Sequence, residues 1–76
     1  MKKADKASIE KFFGSRVREL RKSRGLSQEA FADIAGLDRS YIGGVERGDR
    51  NISLINIKRI SVALGISMEE LFRGLK

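Results

Sequence analysis

Apolar residues recur at helical spacing along nearly the whole chain. Ile9, Phe13, Val17 and Leu20 fall three and four residues apart between Ser8 and Arg24, and Gly25 closes that run. This is the stripe of an amphipathic helix with one side toward a core. Ser27 is placed as N-cap of a second helix that ends at Ala35, with Phe31, Ala32 and Ala35 on its inner side and Gly36 as a tight turn. Asp38 opens a third helix that ends near Arg47, with Gly48 behind it. Asp49 to Ile52 reads as a polar loop. A fourth helix runs from Ser53 to Leu64 with Leu54, Ile57, Ile60 and Leu64 as its inward stripe, and Gly65 closes it. Ser67-Met68-Glu69-Glu70 opens a fifth as a capping box, in which Ser67 and Glu70 each satisfy the other's backbone N–H. No run alternates with period two, so no strand is expected. The pattern predicts an all-α fold, a compact bundle of about five helices.

The third helix carries the sharpest signal. At 100° per residue, Ile42 and Val45 face inward, with Tyr41 at one edge and Glu46 at the other. Arg39, Ser40, Gly43, Gly44 and Arg47 share the opposite face. A face that is thin, polar and basic suits a helix lying in a DNA groove, where Arg pairs with guanine O6 and N7 and Ser with several base edges. An ordinary solvated face explains the arginines but not two adjacent glycines. Each of those costs a helix about 1 kcal/mol relative to Ala, which suggests close approach by DNA or by a neighbouring helix.

Composition narrows the alternatives. Seventy-six residues suffice for one domain with a small core. The chain has no Cys and no His, which removes disulfides, thiolate sites and the commonest metal ligand and general base. No catalytic constellation and no metal or cofactor site can be assembled from the scattered carboxylates, so no enzyme activity is expected. A net charge of +6 favours a polyanionic partner. No apolar run approaches a membrane span and the polar start lacks a signal-peptide stretch, so no membrane partner is expected and the cytoplasm is the expected location.

Phe13-Gly14-Ser15-Arg16-Val17-Arg18-Glu19-Leu20-Arg21, Gly25-Leu26-Ser27-Gln28-Glu29, Asp38-Arg39-Ser40-Tyr41-Ile42, Val45-Glu46-Arg47-Gly48 and Ala63-Leu64-Gly65-Ile66-Ser67 together carry a resemblance. From Ile9 to Phe72 the chain resembles the lambda-repressor-like (XRE, Cro/repressor) helix-turn-helix family. Within it, Leu37 to Ile42 with Arg50-Asn51 is similar to the controller proteins of restriction–modification systems. The resemblance implies a lambda-repressor-like DNA-binding domain over residues 8–76, behind a flexible basic N-terminus at residues 1–7. Lys2, Lys3 and Lys6 there would add only nonspecific attraction.

Residue by residue, the resemblance makes Arg39, Ser40 and Tyr41 base readers, together with the positions of Gly43 and Gly44. The position of Gly44 often carries a longer reader such as Gln, so readout at that base pair is expected to shift toward shape. Ser27 and Gln28, at the start of helix two, are expected to contact phosphate. A helix N-terminus offers free N–H groups to an anion, although a plain N-cap role for Ser27 fits equally well. Arg47, Arg50 and Asn51 are placed to grip the phosphate backbone or reach a minor groove. Lys58 and Arg59 read as a solvated face. Glu46 would repel DNA if exposed; the resemblance pairs it with Arg21 in a partly buried salt bridge.

Apolar residues remain in excess. Ile55 and Val62 lie off the stripe of helix four, Phe12 lies off that of helix one, and helix five adds Ile66, Met68, Leu71, Phe72 and Leu75. Either these residues bury one another, or Ile55, Val62, Met68 and Phe72 form a two-fold homodimer interface, the reading favoured here. The expectation is a dimeric, sequence-specific transcriptional regulator on a near-palindromic site in double-stranded DNA, with RNA polymerase as a further contact if it activates. The competing expectation is an antitoxin or phage-type repressor that acts partly through protein–protein interaction.

Overall fold

The computed structural model describes residues 3–75, and the regular elements among them are five helices. They are α1 (Lys3–Ser23), α2 (Gln28–Ala35), α3 (Arg39–Arg47), α4 (Leu54–Leu64) and α5 (Met68–Leu71). α2 to α5 begin one residue after the expected caps. α1 begins at Lys3 rather than near Ser8. Nothing from Lys3 to Ala7 breaks a helix, and Asp5 in the first turn complements the positive end of the helix dipole. Met1 and Lys2 of the expected basic arm, and Lys76, lie outside the described residues.

One core cluster draws on every helix: Phe13 and Val17 from α1, Phe31 and Ala32 from α2, Ile42 and Val45 from α3, Ile60 and Leu64 from α4, and Leu71 from α5. α3 is the centre of this arrangement. It packs against α1 on one side and α2 on the other, while α4 closes the bundle against α1 and α2. Gly36, at φ 70°, ends α2 and lets the chain turn sharply into α3.

Two stripe positions fall outside the core. Leu54 is 71% exposed and Ile9 is 38% exposed. Leu54 opens α4 and Ile9 lies in the second turn of α1. On α4 the inner face is completed by Ser61 instead, fully buried with its hydroxyl donating to the Lys58 carbonyl at 2.8 Å. That bond removes the cost of an unpaired buried hydroxyl.

The caps follow the sequence with two corrections. Ser27, Ser53 and Ser67 each accept a backbone N–H from three residues on. Asp38 occupies the N-cap position of α3, but its side chain makes no capping bond. The box at α5 is half-formed. Glu70 turns away from Ser67 and pairs with Arg73 at 2.6 Å and with Arg16 at 3.6 Å, because two guanidinium groups attract its carboxylate more strongly than one neutral N–H. Arg16 of α1 and Arg24, in the turn just after it, also donate to carbonyls at helix ends. Arg16 reaches Glu70 O (2.9 Å) and Leu71 O, and Arg24 reaches Leu64 O (2.7 Å). The cations thus meet the negative ends of α5 and α4.

Candidate nucleic-acid interface

The site is built outward from a buried ion pair. Arg21 of α1 donates from Nε to Glu46 Oε2 at 2.7 Å and from Nη2 to Oε1 at 3.0 Å, while its Nη1 donates to the Leu26 carbonyl at 2.6 Å. Both side chains are almost wholly buried. The hydrogen bond to Glu46 raises the Arg21 pKa above its already high usual value, against the opposing effect of burial. Gln28 Nε2 also donates to Glu46 Oε1, at 3.1 Å. One carboxylate therefore ties α1, the start of α2 and the end of α3 together, and it is fully occupied from inside. This is why an acid can sit on α3 without facing a polyanion.

With Ile42 and Val45 inward, Arg39 and Ser40 stand exposed on the first turn of α3. Ser27 is exposed at the N-terminus of α2, its Oγ accepting from Ala30 N at 3.0 Å, so it is an N-cap whose hydroxyl proton stays available. Asn51 is exposed in the loop beyond. Arg47 is exposed too, and its Nε pairs with Asp49 at 2.9 Å.

Gly43 and Gly44, read in the sequence as places of close approach by DNA or a neighbouring helix, are covered by side chains of the protein itself. Both are buried, yet not by the core. An ideal Cβ on Gly43 would lie 3.2 Å from Arg47 Nη1 and 3.6 Å from Gln28 Oε1. One on Gly44 would lie 2.9 Å from Arg50 Nε and 3.0 Å from its Cγ. Long side chains lie across the bare backbone and cover it, because nothing at 43 or 44 holds them off. Tyr41 is half-buried under the same cover. The Arg50 guanidinium sits 5.6 Å from its ring centroid and Asn56 Nδ2 donates to its hydroxyl at 3.2 Å.

Sequence reasoning missed one member of this surface. Arg18, Arg21, Gln28, Glu46 and Arg47 line a polar cleft of about 320 Å³ where α1, α2 and α3 meet. Arg18 is exposed at its edge. It sits three residues before Arg21 and so on the same face of α1, a spacing that would have flagged it. The cleft brings Arg18, Gln28 and Arg47 together, with Ser27 adjoining Gln28 in sequence, whereas Arg50 lies apart over Tyr41. Lys58 and Arg59 are exposed on α4.

The expected dimer residues divide. Ile55 and Val62 are 68% and 64% exposed, two turns apart on one face of α4. Met68 and Phe72 are half-buried, and Phe72 stacks on Phe13 with ring centroids 5.3 Å apart. The apolar surplus therefore lies mainly on α4, where Leu54 joins it, because α5 is too short to hold its side chains away from the core. Among the described residues no acidic cluster is arranged to hold a metal ion, and no helix is long and apolar enough to cross a membrane.

Comparison with known proteins agrees with this architecture. Residues 17–71 match the helix-turn-helix family. The control protein C.MunI of Mycoplasma sp is 46% identical over 65 residues, covering 84% of this chain and 88% of that protein. The control protein C.BamHI of Bacillus amyloliquefaciens is also 46% identical over 65 residues, covering 84% of this chain and 80% of that one. The crystal structure of the restriction-modification controller protein C.AhdI from Aeromonas hydrophila superposes with a TM-score of 0.81 at 59% identity. It covers 87% of this chain and 98% of that one.

Proposed function

Because the chain belongs to the helix-turn-helix family, we propose that it is a sequence-specific DNA-binding transcriptional regulator that controls a restriction–modification system. The observation that carries the reading is the outer side of α3: Arg39 and Ser40 stand exposed in its first turn while its inner side is sealed by Ile42 and Val45. The first turn of such a helix is the part that enters a major groove. Arg39 is assigned to a guanine edge and Ser40 to its neighbour. Arg18, Gln28 and Arg47 where α1, α2 and α3 meet, Ser27 next to Gln28, and Asn51, exposed in the loop after α3, are assigned to the phosphates that fix register. Similarity to restriction–modification controllers supports the regulatory role. The protein acts by occupying DNA rather than by catalysis, in the cytoplasm where that DNA lies, and RNA polymerase is its further contact where it activates.

The protein works as a two-fold dimer in this reading. Ile55 and Val62 form the centre of the interface, Leu54, Met68 and Phe72 its margin. Two recognition helices then reach half-sites about 34 Å apart on one face of the duplex. Replacing both centre residues with Lys is expected to yield a monomer in sedimentation velocity at micromolar concentration, with the wild-type helical circular dichroism retained. A double variant that still sediments as a dimer would place the interface elsewhere.

The binding assignment is tested with fluorescence anisotropy on the DNA upstream of the protein's own gene. Arg39→Ala/Ser40→Ala is expected to lose specific affinity by roughly 10- to 100-fold, since a good base contact is worth about 1–3 kcal/mol. Its affinity for unrelated DNA should barely change, and wild-type binding should fall steeply with salt. A double variant as tight and selective as the parent would refute the role of α3.

A further inference from the structure

Of the ten carboxylates in the chain, two fall on α3 or in the loop directly behind it, Glu46 and Asp49. Glu46 is turned inward and occupied there. Asp49 stays outside, with its side chain 56% exposed, beside residues assigned to the DNA backbone. Its place is set by the fold. Gly48, at φ 80°, ends α3, and the Asp49 N–H donates to the Gly44 carbonyl at 2.9 Å. Gly48 itself rests on α1, where an added Cβ would lie 2.8 Å from Lys11 Cα. From this seat Asp49 Oδ2 accepts from Arg47 Nε at 2.9 Å. Among the described residues Arg18 and Arg39 form no ion pair, so of these three exposed arginines only Arg47 comes with a carboxylate.

Stability does not explain Asp49. A carboxylate at the C-terminal end of a helix meets the negative end of the helix dipole. An exposed ion pair returns little. The same charge also opposes the approach of phosphate to the surface around it.

We propose that Asp49 is an internal competitor for phosphate: it holds Arg47 in the free protein and so limits the affinity of this interface for every duplex. This deepens the DNA-binding reading above and rests on it. Phosphate gains most from an arginine by taking two parallel N–H donors. On Arg47 the Nη1 end lies over Gly43, 3.2 Å from where a Cβ would be, and the Nε edge belongs to Asp49. A phosphate on that edge must displace a carboxylate tethered only two residues away, whose local concentration is high. A closed pair carries no net charge, so until it opens Arg47 releases no counterion from DNA. Phosphate contacts carry no sequence information, and the loss therefore falls on specific and unrelated DNA alike. The consequence is a regulator whose occupancy of DNA tracks its concentration instead of saturating at low levels.

Two duplexes serve as probes, one selected by the wild-type protein from a random-sequence pool and one of the same composition in scrambled order. Wild type, Asp49→Asn, Arg47→Ala and Arg47→Ala/Asp49→Asn are titrated against both by fluorescence anisotropy over a series of salt concentrations, with circular dichroism to establish folding. Asp49→Asn is expected to bind both duplexes roughly three- to tenfold more tightly at low salt. It should also steepen the slope of log K against log salt by about 0.9, the share of one further phosphate. In the Arg47→Ala background the same replacement should gain little and leave the slope unchanged, since no arginine remains to be released. The proposal is overturned if Asp49→Asn binds no better than wild type, or if it gains equally with and without Arg47, as plain repulsion between Asp49 and DNA would produce. A selective wild type beside an unchanged Asp49→Asn defeats this proposal alone. If wild type selects no sequence at all, the regulatory reading fails and this inference with it.

Discussion

Replacing Arg21 with Ala is expected to lower stability by about 3–5 kcal/mol, the usual cost of removing one partner from a buried pair. The cause is what stays behind. The Glu46 carboxylate is sealed in the protein with only Gln28 Nε2 still donating to it, and the Leu26 carbonyl loses its 2.6 Å donor. A domain of this size has about 4–11 kcal/mol in total, at 0.05–0.15 kcal/mol per residue. At roughly 4–8 °C per kcal/mol, the midpoint of thermal unfolding should fall by at least about 12 °C. Circular dichroism on heating measures this directly, and an unchanged midpoint would mean that the pair is not buried as described. The companion variant Arg21→Met/Glu46→Leu removes both charges and is expected to recover most of the loss, because apolar residues of similar volume often replace a buried pair without cost. A raised arginine pKa contributes stability that is fully present below the unfolded value and is lost only in the strongly alkaline range, so this shift adds no pH dependence near neutrality.

The double variant also separates geometry from stability. Glu46 fixes Gln28 by accepting from Nε2, and this leaves Gln28 Oε1 on the side of Gly43 and the Arg47 guanidinium. A refolded domain without Glu46 keeps α1, α2 and α3 but no longer holds that amide. The ion pair is thus a link between the core and the outward surface, and its retention is explained by position more than by net energy.

How much of this was legible in the chain depends on the reach of each interaction. The helices and most of the core followed from spacing alone, since Phe13, Val17, Phe31, Ala32, Ile42, Val45, Ile60 and Leu64 recur with the period of a helix that has one dry side. Leu54 obeys the same period yet lies in solvent, because periodicity assigns a face and says nothing about how far along the helix a neighbour extends. The buried Arg21–Glu46 pair was legible through family resemblance, and Gln28's attachment to it was not. Interactions made by long side chains were illegible for one physical reason. Arg16 and Arg24 act at helix ends and Arg50 on the face of α3, 6 to 55 residues away in sequence, at Leu71, Leu64 and Gly44. Their targets are set by the tertiary arrangement, and a wheel of one helix cannot contain them. The two glycines of α3 read in the sequence as places of close approach by DNA or a neighbouring helix, whereas the groups that lie over them in the structure are Arg47 and Gln28 at Gly43 and Arg50 at Gly44.

Gly14→Ala is the second substitution expected to have a large effect, and its sign is set by a contest between two terms. Ala favours a helix interior over Gly by about 1 kcal/mol. Packing opposes it strongly. A Cβ on Gly14 would lie 2.2 Å from the Val45 carbonyl oxygen and 2.8 Å from that of Glu46, both backbone atoms of α3 that no rotamer change can move. Since even a close C–H···O contact needs about 3.3 Å, α1 and α3 must part by about 1 Å. That separation loosens Phe13 and Val17 against Ile42 and Val45, and it stretches the 2.7 Å bond between Arg21 and Glu46. Overpacking of this kind costs about 1–3 kcal/mol and occasionally more, so a net loss near 2 kcal/mol or above is expected. Gly44→Ala is the internal control: the same substitution on a helix, where the obstacle is the flexible Arg50 side chain. It should melt at or above the wild-type temperature while Gly14→Ala melts well below it. Equal midpoints for the two would show that α1 does not rest on the backbone of α3, and with that the rigid mounting of the Arg39–Ser40 turn would be lost as an explanation of its placement.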